Sequence, residues 1–225
     1  MSRNIAPGTI SSPSDIIAYH VDNAEPLDPK SSPGYAERCI HSEIYKMYPE
    51  TQSVIHSHSD AVVPYSITGV PLKPCFHMAG FLGETTPVFD IRKHIKTSDC
   101  PDMLVRNVHL GANLATHFSS QDPGKSNHAV VLMRGHGFTV IAPDIKQCIL
   151  RAIYTQKNAT IQTTALITRA AHFGAAIDNA AEICYLSGLE ADASTEMTSW
   201  SVQRPWELWV KEVEVAGLYV NAASP

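Results

Sequence analysis

The 225-residue chain lacks three features that would assign it to particular classes of protein. It has no run of basic residues, and 17 Lys and Arg against 22 Asp and Glu give a formal net charge of −5, which argues against nucleic acid and anionic membranes as partners. It has no uninterrupted apolar stretch long enough to span a bilayer, and its N-terminal segment has no apolar core typical of a secretion signal. We therefore expect a cytoplasmic protein that acts on a small molecule.

Cysteine is also sparse, and its distribution excludes a disulfide scaffold. The five cysteines are widely scattered and form no CxxC pair, so we interpret them as reduced thiols. A chain of this length buries a sizeable core without staples, and any bound metal is therefore expected to serve function rather than folding. We expect one domain over residues 1–225 that assembles into a homo-oligomer, with 191–225 as an aromatic C-terminal extension that packs on another subunit.

The hydrophobic pattern predicts strands interleaved with helices, which is typical of an α/β layer architecture. Asp144 is expected to cap the longest helix. Its apolar stripe should comprise Ile145, Cys148, Ile149, Ala152 and Ile153. The predicted strands are 15–21, 53–59, 128–133 and 138–142; the predicted helices are 36–48, 107–118 and the segment after Asp144, with a helix or turn over 60–68.

Three histidines have the spacing of a metal site. In the strand "SVIHSHS", His56 and His58 are two residues apart and point to the same face. His136 lies between two glycines in "MRGHGFTV", where the backbone can turn its side chain into a cleft. Three neutral imidazoles suit Zn²⁺ and other divalent transition metals and leave positions open for substrate. The alternative is a set of half-buried histidines held by hydrogen bonds.

Three further residues are candidates for the site. Glu37, at the start of a helix, is a fourth ligand, a proton-transfer group or both, or else a carboxylate stabilised by the helix dipole. Arg134 is placed to bind a substrate carboxylate, or else pairs with a surface acid. His77 in "CFHMAG" lines the cleft or serves a turn.

The stretch "AERCIHSEIYKMYPETQSVIHSHSDA", followed by "VLMRGHGFTVI", resembles the class II aldolase/adducin family over about residues 10 to 165. The family's E-x-x-x-H helix start falls on Glu37 and His41, its H-x-H pair on His56 and His58, and its HG histidine on His136. The resemblance implies a three-layer α/β/α sandwich, commonly a cyclic tetramer. It also implies one divalent metal per subunit on the three histidines, Zn²⁺ first and Fe²⁺ as the alternative, with the glutamate as acid/base.

The chain departs from the sugar-phosphate members of that family. Those members carry a Ser-Ser pair directly before the glutamate, where this sequence has Tyr35 and Ala36. Ser31 and Ser32 are the nearby hydroxyls that could bind an anion, although loop serines more often serve turns. We therefore expect a substrate without a phosphate group.

These observations support three hypotheses about function. The leading one is a metal-dependent aldolase or lyase that cleaves a small hydroxy- or keto-carbonyl substrate through a metal-stabilised enolate. The second is a non-haem Fe(II)- and O₂-dependent oxygenase of secondary metabolism. The third is a non-catalytic, adducin-like interaction domain. The presence of Glu37 and all three histidines argues against it, because a scaffold does not need four convergent ligands.

Overall fold

The computed structural model describes residues 1–3, 5–32, 34–119, 126–174, 176 and 182–222. Within these ranges the chain forms a four-stranded sheet flanked by α-helices. The strands are β1 (Ser53–Ser57), β2 (Val88–Phe89), β3 (Val130–Met133) and β4 (Gly137–Ala142). The helices are α1 (Arg38–Met47), α2 (Val63–Ile67), α3 (Val108–Thr116), α4 (Ile145–Phe173), α5 (Gly188–Ser201) and α6 (Gln203–Ala216). No helix in these ranges combines the length and the apolar character needed to cross a bilayer.

The sheet is mixed and has the strand order β1-β4-β3-β2. Both β1 and β3 pair antiparallel with β4, while β2 pairs parallel with β3. In this register His56 lies opposite Thr139 and Ser57 lies opposite Phe138. The end of β1 is therefore next to the turn that joins β3 to β4, and both histidine segments meet there.

Apolar side chains of the sheet alternate between two cores. In β3, Val131 and Met133 belong to a cluster with residues of α1 and α3. Val130 and Leu132 belong to a second cluster with residues of α2 and α4. Burying each such side chain stabilises the fold by about 1.5–3 kcal/mol. The predicted three-layer α/β/α sandwich is confirmed.

The contact between α1 and α3 holds α1 in place against the protein. Gly111 of α3 lies against the backbone carbonyl of Cys39, where a Cβ atom would overlap with it. The glycine therefore lets the two helix backbones approach closely. Ile40 and Ile44 of α1 are fully buried in the first core, so the helix and its N-cap residue Glu37 are fixed against the protein.

The predicted strand at residues 15–21 is wrong. This segment makes only two isolated bridges, Ser2 with Ile16 and Tyr19 with Pro26. No neighbouring strand in the described ranges runs along it to complete a ladder, and its apolar pattern alone does not create one. The other predicted strands and helices are present, and Asp144 caps α4 by accepting a hydrogen bond from the Gln147 N–H at 2.8 Å.

The predicted apolar stripe of α4 is partly wrong. Ile145 is 60% exposed, and Ile149, Ala152 and Ile153 are only partly buried. The buried residues of this helix are Cys148, Leu150, Thr155, Asn158, Ala159 and Gln162. Half of them are polar, because this face makes hydrogen bonds that a hydrophobic pattern does not reveal.

Two buried amides of α4 hold the loop that follows α2. Asn158 donates to the Lys73 carbonyl and accepts from the Cys75 N–H, both at 2.8 Å. Gln162 donates to the Pro71 carbonyl at 2.8 Å and accepts from the Lys73 N–H at 3.0 Å. The side chains thus satisfy backbone groups beside which the described part of the chain places no strand.

Candidate metal centre

Four potential metal ligands converge where β1 meets the β3–β4 turn. Glu37 is the N-cap residue of α1, and His56 lies in β1. His58 directly follows β1, and His136 is the last residue of the turn. The ligand atoms of these four side chains all lie within 4.8 Å of one another. The structure therefore brings together the four residues that the sequence singled out.

The separations within this four-residue cluster match the edges of a metal coordination sphere. Nε2 of His58 lies 2.9 Å from Nε2 of His56 and 2.9 Å from Nε2 of His136. Oε2 of Glu37 lies 3.5 Å from Nε2 of His56 and 3.5 Å from Nε2 of His136. A tetrahedral site with bonds of about 2.0–2.1 Å separates neighbouring ligand atoms by roughly 3.3 Å. The observed values bracket this distance, so the residues fit a divalent transition metal.

The protons of the imidazoles also favour a shared cation. Nδ1 of His56 lies 3.1 Å from the Phe138 carbonyl oxygen. Because a carbonyl only accepts, Nδ1 carries the proton, and the lone pair of His56 is on Nε2, facing the cluster. One proton on His58 Nε2 can satisfy only one of its two neighbouring nitrogens, whereas a metal ion takes a lone pair from each of the three rings.

Burial and nearby charges shift the pKa values of His56 and Glu37 in the cluster. Burial lowers the pKa of His56 to about 4, against the opposing effect of the Glu37 carboxylate, so this imidazole is neutral at pH 7, as a metal ligand must be. Burial alone would raise the pKa of Glu37. Its hydrogen bond with His136, the electrostatic effect of His56 and the Val105 N–H together outweigh burial, and the pKa of Glu37 lies below its ordinary value.

Only one carboxylate oxygen of Glu37 is directed at the histidines. Its Oε1 accepts a hydrogen bond from the Val105 N–H at 3.1 Å, while Oε2 faces His56 and His136. The backbone contact therefore orients the carboxylate and leaves one oxygen for a metal or for proton transfer.

The loop that supplies this N–H is held by an aspartate. Asp102 accepts a hydrogen bond from the Leu104 N–H at 3.1 Å and pairs with the Arg106 guanidinium. Met103, between Asp102 and Leu104, has a φ of 71°, in the left-handed region that non-glycine residues rarely adopt. These contacts present the Val105 N–H to the cluster.

Sequence reasoning missed the residues that support the cluster. Val105 contacts Glu37, 68 positions away, through a backbone N–H, and Phe138 contacts His56, 82 positions away, through its carbonyl. Ser66 contacts the β3–β4 turn at Gly135, 69 positions away. Backbone contacts across such separations leave no local pattern, so nothing in the sequence could have identified them.

The candidates for substrate binding, Arg134, His77, Ser31 and Ser32, do not join the cluster. Arg134 donates from Nε to the Asp90 carboxylate at 2.9 Å, so it pairs with an acid of the chain, which is the alternative to binding a substrate carboxylate. His77 is exposed, and its carbonyl accepts a hydrogen bond from the Ser194 hydroxyl. Ser31 and Ser32 lie in a loop before α1, and in the described part of the chain no hydrogen bond joins them or His77 to the cluster.

The chain is similar to proteins of one family. The sequence model described as "Class II Aldolase and Adducin N-terminal domain" matches residues 5–163. The chain is 51% identical over 231 residues to the decarboxylase tropJ of Talaromyces stipitatus, a match that covers 99% of this chain and 84% of that protein. It is 27% identical over 143 residues to a 3,4-dihydroxyphthalate decarboxylase of Arthrobacter keyseri, covering 62% of this chain and 53% of that protein, about half of its length.

Solved structures show the same fold at low sequence identity. An aldolase II superfamily protein from Pseudomonas syringae superposes with a TM-score of 0.64 at 16% identity, covering 92% of this chain and 74% of the other. An L-fuculose 1-phosphate aldolase from Glaciozyma antarctica PI12 gives a TM-score of 0.59 at 18% identity, covering 94% and 73%. These two likenesses concern the fold alone.

Proposed function

The chain belongs to the class II aldolase and adducin family, and on that premise we propose that it is a metal-dependent decarboxylase of a small aromatic hydroxy-acid. One observation carries the proposal: three imidazole nitrogens and one carboxylate oxygen converge on a common point in a chain that is 51% identical to a decarboxylase over nearly its whole length. A non-catalytic domain has no physical need for such a donor set.

The sequence predicts an aldolase, and the proposed decarboxylase differs from it only in the carbon–carbon bond that is cleaved. An aldolase and a decarboxylase are both carbon–carbon lyases that leave an electron pair on carbon. In a decarboxylase the leaving fragment is CO₂, and a proton takes its place. The relatives described above support this second form rather than an aldol cleavage.

His56, His58 and His136 would hold the metal, with Oε2 of Glu37 completing or adjoining its coordination. A divalent metal bound there supplies Lewis-acid polarisation of a substrate oxygen. Zn²⁺ suits this donor set best, and Fe²⁺ is the alternative. The residues of the chain provide the rest: His56 is kept neutral by burial, and His58, which is exposed, lies on the side open to a ligand.

Glu37 is suited to move the proton that replaces CO₂. Its carboxylate is ionised at pH 7, and the Val105 N–H holds it in one orientation. It can accept a proton from a substrate hydroxyl or from water and return it to the carbon that loses CO₂. Ile67 and Met103 each lie near Gly135, the residue before His136, and such apolar side chains would suit an aromatic substrate better than a sugar.

The test measures CO₂ release from 3,4-dihydroxyphthalate, the compound in the names of three relatives. We expect Zn²⁺- or Fe²⁺-loaded protein to release CO₂ and a chelator to abolish the release. His136→Ala should lose both metal and activity. The matched control is His128→Ala, a half-buried histidine at the opposite end of β3, which should retain both.

The same assay separates the proposal from its alternatives. Under argon a decarboxylase keeps its rate, whereas an oxygenase loses it, so a strict requirement for O₂ would refute decarboxylation without oxidation. Full metal occupancy in His136→Ala would refute the assignment of the cluster. The aromatic probe has no β-hydroxy-carbonyl bond for an aldolase to cleave, so a second assay uses an unphosphorylated β-hydroxy-keto acid, and metal-dependent release of two carbonyl fragments without CO₂ would restore the aldolase hypothesis.

A further inference from the structure

We propose that Ser66 is a positioning residue for the metal centre, whose hydroxyl fixes the turn that carries His136. Ser66 lies in α2, the short helix that begins five residues after His58, and it is 7% exposed. Its Oγ donates to the Val63 carbonyl at 2.7 Å and accepts from the Gly135 N–H at 3.0 Å. One hydroxyl thus ties the helix after one ligand to the turn that holds another.

The turn has three backbone N–H groups, and Ser66 holds the middle one. The Arg134 N–H donates to the Phe89 carbonyl, and the His136 N–H donates to the Met133 carbonyl, both at 3.0 Å. The Gly135 N–H donates to the Ser66 hydroxyl. This is the one N–H of the turn that a side chain fixes, so a single substitution can release it. Gly135 has a φ of +64°, and the bond stabilises this left-handed backbone.

Outside the cluster itself, no hydrogen bond to the described residues orients the ring of His136. His56 is oriented through Nδ1, which donates to the Phe138 carbonyl. Nδ1 of His136 is buried and has no hydrogen-bond partner among the described residues. Metal-binding histidines are usually oriented by a partner on the second nitrogen. Because Nδ1 of His136 lacks such a partner, the direction of Nε2 depends on the backbone of its turn, to which Ser66 is hydrogen-bonded.

The experiment titrates metal-free protein with Zn²⁺ alone by calorimetry, in the absence of substrate. We expect Ser66→Ala to bind Zn²⁺ roughly 10- to 100-fold more weakly, the range for losing a partner that orients a ligand. Ser66→Thr keeps the hydroxyl and should restore most of the affinity. Thr68→Ala is the matched control: Thr68 is the C-cap residue of α2, and its exposed hydroxyl donates to the Pro64 carbonyl at 2.8 Å but has no hydrogen bond to the turn.

Each outcome bears on the role of Ser66. Unchanged affinity in Ser66→Ala would overturn it, as would an equal loss in Thr68→Ala, which would indicate a general weakening of α2. If Ser66→Ala does not fold, Gly135→Ala decides: it meets no atom closer than 3.9 Å but strains the left-handed backbone, and undiminished Zn²⁺ binding there would overturn the proposal.

The inference rests on the metal site of the proposed function but not on its reaction. Wild-type protein that binds neither Zn²⁺ nor Fe²⁺ would refute both. Tight wild-type binding with equally tight binding by Ser66→Ala would refute the role of Ser66 alone. Loss of affinity in Ser66→Ala would support that role even if no carboxylate substrate reacted.

Discussion

Burial has opposite effects on the acid and the base of the cluster. It lowers the pKa of His56, because desolvation disfavours the imidazolium form, and it would raise the pKa of Glu37 by disfavouring the carboxylate. The hydrogen bonds and charges around Glu37 outweigh burial and lower its pKa, whereas those around His56 do not outweigh burial, and its pKa stays lowered. The result is a neutral ligand beside an ionised carboxylate, a combination that a metal site and a proton-transfer site both require.

Glu37→Gln separates these two requirements, since it keeps the shape of the side chain and removes its charge and its proton. We expect the three histidines to retain Zn²⁺ while turnover falls by roughly 10²- to 10⁴-fold, the usual cost of losing a general acid/base. Metal analysis and CO₂ release measure the two effects. Glu43→Gln is the control, because Glu43 lies buried in the same helix but pairs with Lys46 at 2.6 Å. Wild-type turnover in Glu37→Gln would remove Glu37 from the mechanism.

His41, one turn along α1 from Glu37, should make the metal-free protein sensitive to acid. Burial lowers the pKa of His41 to about 4, helped by the N-terminal amino group and opposed by Glu37. The unfolded chain protonates this histidine near its ordinary pKa of about 6.5. Between those values the unfolded state binds a proton that the folded state does not, so the free energy of unfolding falls as pH drops from about 6.5 to about 4. His56 adds to the loss in the same direction.

Urea unfolding at pH 7 and at pH 5, in chelator, measures this loss. We expect His41→Asn to lose less stability between the two pH values than the wild type does. His20→Asn, at an exposed histidine, should lose as much as the wild type. An undiminished loss in His41→Asn would show that other groups cause the acid sensitivity.

Among the secondary-structure elements, α4 is stabilised by polar as well as apolar burial. Asn158→Ala would leave the Lys73 carbonyl and the Cys75 N–H without their partner. We expect a loss of about 1–3 kcal/mol in the free energy of unfolding, measured by urea denaturation. Gln156→Ala, at an exposed position of the same helix, should cost far less. Equal effects of the two substitutions would contradict a structural role for the buried amide.

The sequence predicted those elements whose stability is local, and missed contacts made across the chain. The strand with His56, the β3–β4 hairpin and the cap at Asp144 follow from alternation, glycines and a capping residue. The convergence of the four ligands followed from the family resemblance, not from spacing alone. Periodicity could not reveal that the 15–21 segment has no neighbouring strand, or that Asp90 holds Arg134 from 44 positions away.

The whole molecule exposes a large apolar surface at its C-terminal end. Helix α6 has no buried residue. In the aromatic C-terminal extension, Trp209 contacts Tyr154, with ring centroids 6.3 Å apart, and Tyr219 is half exposed. The C-terminal apolar surface consists of Leu208, Val213, Val215, Leu218, Tyr219 and Val220, all exposed. Leu208 and Val215, seven residues apart, fall on one face of α6, and monomeric proteins rarely leave contiguous apolar patches in water.

We expect this surface to be covered in a homo-oligomer, with a tetramer as the expected assembly. Val215 and Leu218 are 70% and 79% exposed, so replacing both by Glu should leave the fold of each subunit intact. Charges buried in an interface without partners are costly, and the double variant should therefore dissociate. Sedimentation velocity at micromolar concentration measures the change, and Leu27→Glu, at a position 53% exposed elsewhere on the protein, is the control. A wild-type monomer would contradict the assembly itself, and a double variant that sediments like the wild type would place the interface on another face.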